Sequence, residues 1–255
     1  MRIRLPGYAR LDAAKARGIA LESCVTTLQS ILADETLYDF AARQPDAKRF
    51  MGRAPVYAVE LPGGCGRAVV RRSMRGGALS SLHTDLFLPP TRSLRELVTS
   101  LRLRAAGIHT PEMIGIIVYS VGFVFRRSDI VTRELEGSED LASTLRAGRA
   151  DDRRAASLDA AASLVAALSR VGVYHPDLNL RNVLIPKDTE PAPESGAYVL
   201  DVDRLRFHTP GDPMVIRANL DRLERSMRKQ RERGLVAIDD SEIATLRSRA
   251  RLLAT

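Results

Sequence analysis

The sequence predicts an α+β chain, rich in strands first and in helices afterwards, on three observations. Between Pro55 and Glu136, short runs such as Val56-Tyr-Ala-Val-Glu-Leu61 and Arg67-Ala-Val-Val-Arg-Arg72 are separated by glycines, the pattern of antiparallel strands. From Asp152 to Val171 the chain is rich in alanine and leucine at helical spacing, the pattern of a buried helix. Then Val173 to Ile185 reads Val-Tyr-His-Pro-Asp-Leu-Asn-Leu-Arg-Asn-Val-Leu-Ile, and Tyr198-Val-Leu-Asp201-Val-Asp203 follows. These are two polar segments, each tied to a short apolar strand.

Size and charge bound the alternatives. At 255 residues and 45% hydrophobic, the chain can bury a substantial core, as one domain or as two lobes around a cleft. The net charge of +8 points toward a polyanion: nucleic acid, phosphorylated lipid or an anionic membrane surface. With 5% aromatics and no recognisable binding motif, a nucleic-acid partner rests on charge alone and is not expected. Cys24 and Cys65 fit neither a disulfide framework nor a zinc pattern, which points to a reducing cytosol. The basic N-terminus has no apolar run behind it, so no signal peptide is expected. No uncharged stretch approaches the roughly 20 residues that span a bilayer, so any membrane contact is expected to be peripheral.

In chain order, Leu11 to Gln29 and Ser30 to Ala42 are predicted amphipathic helices, making residues 1–50 an N-terminal helical extension. Residues 51–137 form the first lobe, beginning with a hairpin, Val56–Leu61 and Arg67–Arg72, around Pro62-Gly-Gly-Cys-Gly66. Arg71 and Arg72 point to opposite faces of their strand, and pattern leaves open which faces inward. Met74-Arg-Gly-Gly77 is a basic loop able to approach a phosphate or simply to be solvated. A helix from Ser93 to Ala106 carries Leu94, Leu97, Val98 and Leu101 as its apolar stripe, with Glu96 in its first turn and Gly107 stopping it. Ile114–Tyr119 and Val121–Arg126 pair, and Ile130–Glu136 is an edge strand leading out of the lobe. Residues 138–255 form the second lobe, with helices at Leu141–Leu145 and Asp152–Val171 and a polar loop from Pro186 to Gly196. Arginines 217, 222, 225, 228, 231 and 233 with Lys229 read as a solvated helix face before they read as a docking surface.

The spacing of His175, Asp177 and Asn182, His-x-Asp-Leu-x-x-x-Asn, resembles the catalytic loop of kinase-like folds. Asp and Asn are also common turn residues, but the loop is joined to a strand on one side and to a second acid-ended strand on the other. Phosphoryl transfer requires neutralised phosphate charge and an in-line acceptor oxygen. Asp177 and Asn182 answer the positioning requirement, and Asp201 offers oxygen to a hard cation.

That resemblance implies a small bilobal protein-kinase-like fold, in which the 56–72 hairpin covers the nucleotide phosphates. No lysine lies between Lys48 and Lys187, so the phosphate-gripping cation is an arginine, Arg71 or Arg72, with Glu96 as its partner. Backbone groups near Glu134 to Glu136 then hold adenine. No Asp-Phe-Gly and no Ala-Pro-Glu follows Asp201, and the chain lacks the residues for a peptide platform. A small or lipid-linked acceptor is expected.

Over residues 52–229 the sequence resembles the lipopolysaccharide kinases of the Kdo kinase type, Kdo being 3-deoxy-D-manno-octulosonic acid. The likeness runs through Val69-Val-Arg-Arg-Ser-Met-Arg-Gly-Gly77, Arg95-Glu96, Ala106-Gly-Ile-His-Thr-Pro111, Gly172-Val-Tyr-His-Pro-Asp-Leu-Asn179, Asp201-Val-Asp-Arg204 and Asn219-Leu-Asp-Arg-Leu-Glu-Arg-Ser226. It implies ATP- and magnesium-dependent phosphorylation of the 4-hydroxyl of Kdo on lipid A, at the cytoplasmic face of the inner membrane. Residue by residue it implies Asp177 as the base or hydroxyl-orienting carboxylate and Asn182 and Asp201 as magnesium ligands. It likewise implies Arg71 on the phosphates with Glu96 as its partner, nucleotide contacts from Glu134 and Glu136, and His175 as a support of the loop. The implied partners are an anionic glycolipid and an acidic membrane surface, while the oligomeric state and any metal contact by Asp203 stay open. The alternatives are a kinase-fold phosphotransferase for another small molecule or a protein, and a nucleotide-binding pseudokinase.

Overall fold

The computed structural model describes residues 5–50, 54–73, 93–122, 124–146, 153–186 and 195–255. The chain separates into two compact units, Met1–Leu97 with Glu112–Glu134, and Val98–Pro111 with Leu135–Thr255. The Met74–Gly77 loop and most of the Pro186–Gly196 loop lie outside the described residues.

The first unit opens with a hairpin, β1 (Tyr8–Ala13) and β2 (Ala16–Leu21), followed by α1 (Val25–Asp34) and α2 (Leu37–Arg43). Next come β3 (Lys48–Phe50), β4 (Val56–Leu61) and β5 (Gly66–Arg72), then α3 (Ser93–Ala105), β6 (Met113–Val121) and β7 (Phe125–Arg133). Among the described residues these strands form one seven-stranded antiparallel sheet in the order β1-β2-β6-β7-β5-β4-β3. Leu11, Leu28, Leu37, Val59, Val70, Ile114 and Val131 lie in its core.

Two sequence expectations are corrected here. The helix over Leu11–Gln29 is instead the β1–β2 hairpin and the start of α1, so the first fifty residues are part of the sheet lobe and not a helical extension. Alanine-rich composition favours helix locally, but Leu11 buried between exposed Arg10 and Asp12 has the period of a strand, and pairing decides such conflicts. A Cβ at Gly18 would sit 2.1 Å from the Ile116 carbonyl oxygen, so β2 closes onto β6 only because that residue is glycine.

Second, the expected strands Val121–Arg126 and Ile130–Glu136 are not separate: Val121 ends β6, and Phe125 to Arg133 is one strand, β7, which lies between β6 and β5 and is not an edge. Ser128 and Asp129, which join the two runs, are both buried within the strand. In the β4–β5 hairpin Leu61 pairs with Gly66 at one end, whereas Arg71 pairs with Val56 at the other.

The second unit contains β8 (Glu139–Asp140), α4 (Leu141–Thr144), α5 (Arg153–Arg170), β9 (Val173–Tyr174), β10 (Val183–Ile185), β11 (Tyr198–Val199), β12 (Arg206–Phe207), α6 (Pro213–Glu232) and α7 (Asp240–Ala254). Small residues let α5 be enclosed: Ala161, Ala162, Leu164, Val165, Ala166 and Leu168 are all fully buried. Asp212 caps α6 by accepting from Met214 N at 2.8 Å, with Pro213 at the first helical position. Asp239 and Glu242 close a capping box on α7. After α5, Gly172 at φ +71° turns the chain into β9; a Cβ there would come 2.4 Å from the His208 carbonyl oxygen. That glycine is what delivers Val173 and the polar loop to the core.

Candidate active site

In the second unit the loop after β9 is stitched in place through its backbone. His175 and Asn219 of α6 are both buried, at 1% and 0% exposure. Asn219 Oδ1 accepts from His175 N at 3.0 Å, and Asn219 Nδ2 donates to Val173 O at 2.9 Å. About two turns further along α6, Ser226 Oγ accepts from Leu180 N at 3.3 Å. One helix therefore grips the loop at both ends.

The His175 ring bridges the two chemical segments. Its Nδ1 accepts from Asp177 N at 3.2 Å, which places the ring proton on Nε2, where it is donated to Leu200 O at 3.0 Å. Burial pushes the imidazole below its usual pKa, against smaller opposing contributions from the Leu200 carbonyl and the Asp201 and Asp177 carboxylates. A neutral ring with both nitrogens engaged positions the loop and has no free site for carrying a proton.

Asn182 Nδ2 donates to Asp177 O at 2.8 Å, and Asn182 O accepts from Leu200 N at 2.9 Å. Asn179 adds a local turn, donating to Asp177 O and accepting from Arg181 N. Asp201 is the one non-glycine residue at positive φ among the described residues, at φ 57° and ψ 55°. A left-handed residue with a side chain costs about 1–2 kcal/mol, least for Asp and Asn, and such strain clusters at functional sites. Among the described residues, no hydrogen bond or ion pair engages the carboxylates of Asp177 and Asp201 or the Oδ1 of Asn182. These are hard oxygen donors without protein partners, and one or two such groups with phosphate oxygens and waters are what magnesium takes.

In the first unit, strand alternation separates the two arginines as expected and the neighbours decide between them. Arg71 bonds Glu96 of α3, whose side chain is buried. Arg72 turns the other way, with its guanidinium 4.1 Å from the Tyr38 ring centre, 3.5 Å from Asp39 and 3.7 Å from the buried Asp129. Burial raises the Asp129 carboxyl above its usual range, although Tyr119, the Tyr38 amide and Arg72 pull it back. Arg71 is thus the arginine that faces an α3 glutamate, and Arg72 braces the sheet.

Glu134 and Glu136 follow β7. Glu134 N donates to Arg67 O at 3.1 Å, and its carboxylate pairs with Arg67 at 2.7 Å and Lys48 at 3.8 Å. The Glu134 side chain is a clamp within the sheet and its amide is engaged. Glu136 is exposed. Asn219 and Ser226 stand at the two ends of a segment that carries the family resemblance, but sequence alone assigned neither a role. The readable signal was an asparagine on the apolar stripe of α6, beside Val215, Leu220, Leu223 and Met227.

A sheet lobe with an Arg–Glu pair, and a helical lobe whose polar loop presents a carboxylate and an amide beside an acid-ended strand, define a kinase of protein-kinase-like fold. The chain belongs to the lipopolysaccharide kinase (Kdo/WaaP) family, whose model matches residues 53–246. It is 28% identical over 199 residues to the 3-deoxy-D-manno-octulosonic acid kinase of Vibrio vulnificus strain YJ016, covering 76% of this chain and 78% of that one. It is 30% identical over 185 residues to the protein of that name from Xanthomonas oryzae pv. oryzae strain PXO99A, covering 71% and 68%. Among solved structures, WaaP in complex with acyl carrier protein matches with a TM-score of 0.52 and 17% identity over 88% of this chain and 86% of that one, a likeness of fold.

Proposed function

We propose that the protein transfers the terminal phosphoryl group of ATP to the 4-hydroxyl of a Kdo residue linked to lipid A. The observation that carries this reading is the His175 bridge, which joins the Asp177 loop to the Asp201 segment while leaving three oxygen donors open. Asp177 orients the acceptor hydroxyl and takes its proton as the new O–P bond forms. Asn182 Oδ1 and the Asp201 carboxylate would hold magnesium, which neutralises charge on the phosphates. Arg71, fixed by Glu96, meets the nucleotide phosphates, and its fork offers two parallel contacts where lysine offers one. The backbone from Glu134 to Glu136 meets adenine, with Glu134 contributing its carbonyl.

The acceptor is supported by the family and by the names of the relatives. The net positive charge suits a glycolipid bearing phosphates and carboxylates. Among the described residues, no helix is long and apolar enough to cross a membrane, and the reading places the protein peripherally on the cytoplasmic face of the inner membrane, where such an acceptor is reached.

The test is transfer of label from ATP, with magnesium, to a Kdo-bearing lipid A precursor, beside Asp177→Ala. Label should enter the lipid with the unaltered protein, and Asp177→Ala should lower the rate by about 10²–10⁴-fold with Mg-ATP binding retained. Full activity in Asp177→Ala would overturn the catalytic assignment. ATP binding without label in the lipid would overturn the acceptor and redirect the search to other sugars, then to a non-catalytic nucleotide-binding role.

A further inference from the structure

Where the chain enters β7, two apolar side chains next to each other in sequence are exposed. Val124 is 54% exposed and Phe125 43%. Both lie at the end of the strand pair, beyond Gly122 at φ +59°. Nothing in hairpin geometry requires two large apolar residues there, and burying them would remove the cost of their contact with water. Basic groups flank them. Arg126 follows directly, its guanidinium donating to Phe125 O at 2.8 Å. Lys15 is brought alongside from the β1–β2 turn, its carbonyl accepting from Ser120 N at 3.3 Å. The nearby acid, Asp12, is engaged by Arg10 at 2.6 Å and Arg17 at 3.9 Å. Lys15 and Arg126 make no ion pair among the described residues.

An apolar point ringed by cations matches the boundary of an anionic bilayer, where side chains enter the acyl region and ammonium and guanidinium groups meet phosphates. The basic face of α6 differs, because its arginines are partly neutralised within their own unit. Arg228 and Arg231 both pair with Asp240 at the start of α7.

The position of Val124 and Phe125 also bears on reach. Arg71 pairs with Ile130, five residues along β7 from Phe125, so the two lie roughly 17 Å apart at a rise of about 3.3 Å per residue. Ile130 lies four residues from Glu134 along the chain, so Arg71 stands in the middle of the sheet and a bilayer at Phe125 would lie at the end remote from Glu134.

We infer that Val124 and Phe125, at the entry to β7, are the membrane-docking point of this protein, entering an anionic bilayer while Lys15 and Arg126 meet its headgroups. The inference rests on the peripheral location in the proposed function, but its test needs neither nucleotide nor acceptor.

The test is flotation of the full-length protein with phosphatidylcholine vesicles, with and without phosphatidylglycerol. The unaltered protein should float with anionic vesicles, with binding that falls as salt is raised. The Val124→Ser/Phe125→Ser double variant should lose about tenfold or more of that binding. Lys15→Glu/Arg126→Glu should lose the preference for phosphatidylglycerol. Both variants should keep the unaltered protein's melting temperature, which shows that they fold. Failure of the unaltered protein to float overturns the inference. So does flotation unchanged in the serine variant, which would leave α6 or a membrane protein as the anchor. Loss of flotation in the serine variant, in a protein that never labels Kdo-lipid A, would uphold the docking element and sink the acceptor assignment alone.

Discussion

The two units hold their polar groups by opposite means. In the sheet unit a charge positions a charge: Arg71 is aimed by the buried carboxylate of Glu96. In the helical unit neutral groups do the positioning and act on the backbone: Asn219 on Val173 and His175, Ser226 on Leu180, His175 on Asp177 and Leu200. The proposed function accounts for the difference. On that reading Arg71 can keep an acidic partner, because a guanidinium has five donors and phosphate can take those the carboxylate leaves, whereas carboxylates that would hold a metal cannot be held by arginine without losing the lone pairs the metal needs.

The largest expected effect comes from removing a metal ligand. Asp201→Ala should lower both Mg-ATP affinity and transfer, the latter by about a thousandfold or more, read by nucleotide titration and by initial rates. Unchanged ATP affinity in that variant would remove Asp201 from the metal site. The neutral clamp should show a different signature. Asn219→Ala leaves two buried backbone groups without partners and should destabilise the protein by about 1–3 kcal/mol. It should also lower kcat with little change in KM for ATP. Asn219→Asp keeps an acceptor for His175 N and should recover part of the loss; an Asp variant no better than Ala would argue against the clamp.

The charged pair should respond more mildly. Glu96→Gln keeps a hydrogen-bond acceptor for Arg71 but not the charge, and should raise KM for ATP about tenfold. Arg72→Gln should leave KM for ATP unchanged and lower thermal stability, because Arg72 faces Asp129 and Tyr38. An equal effect of both substitutions on KM would erase the distinction between the two faces of β5.

The smallest effect is on pH dependence. The folded-state pKa of His175 is lowered, so its neutral form contributes stability that is fully present above the unfolded value of about 6.5 and is lost as pH falls toward the folded value. His175→Gln removes that titration. Its melting temperature should therefore fall less steeply than the unaltered protein's below pH 6.5. Parallel profiles would show that His175 is not buried as a neutral ring.

The parts of the fold legible in sequence were those whose periodicity and boundaries agreed. Val56–Leu61 and the strand ending at Arg72 alternate cleanly around glycines, and Ser93–Ala105 carries an apolar stripe stopped by Gly107. The β1–β2 hairpin was not legible, because Ala and Leu are helix formers and its strand character depends on pairing with β6. The continuity of β7 was hidden by Asp129, a carboxyl whose burial is supported by Tyr119, Arg72 and the amide of Tyr38, which come from elsewhere in the chain.

By itself the sequence determined the chemistry on offer: the order of His175, Asp177, Asn182 and Asp201, the absence of a lysine between Lys48 and Lys187, and a glutamate in the first turn of α3. Residue types and spacing are local properties, and oxygen donors at those intervals are readable without a fold. Tertiary structure alone decided which arginine meets Glu96, that Arg71 pairs with Val56 and Ile130, and that a helix some forty residues downstream grips the loop. Each is a contact between segments far apart in sequence, determined by strand register and burial that no local pattern encodes.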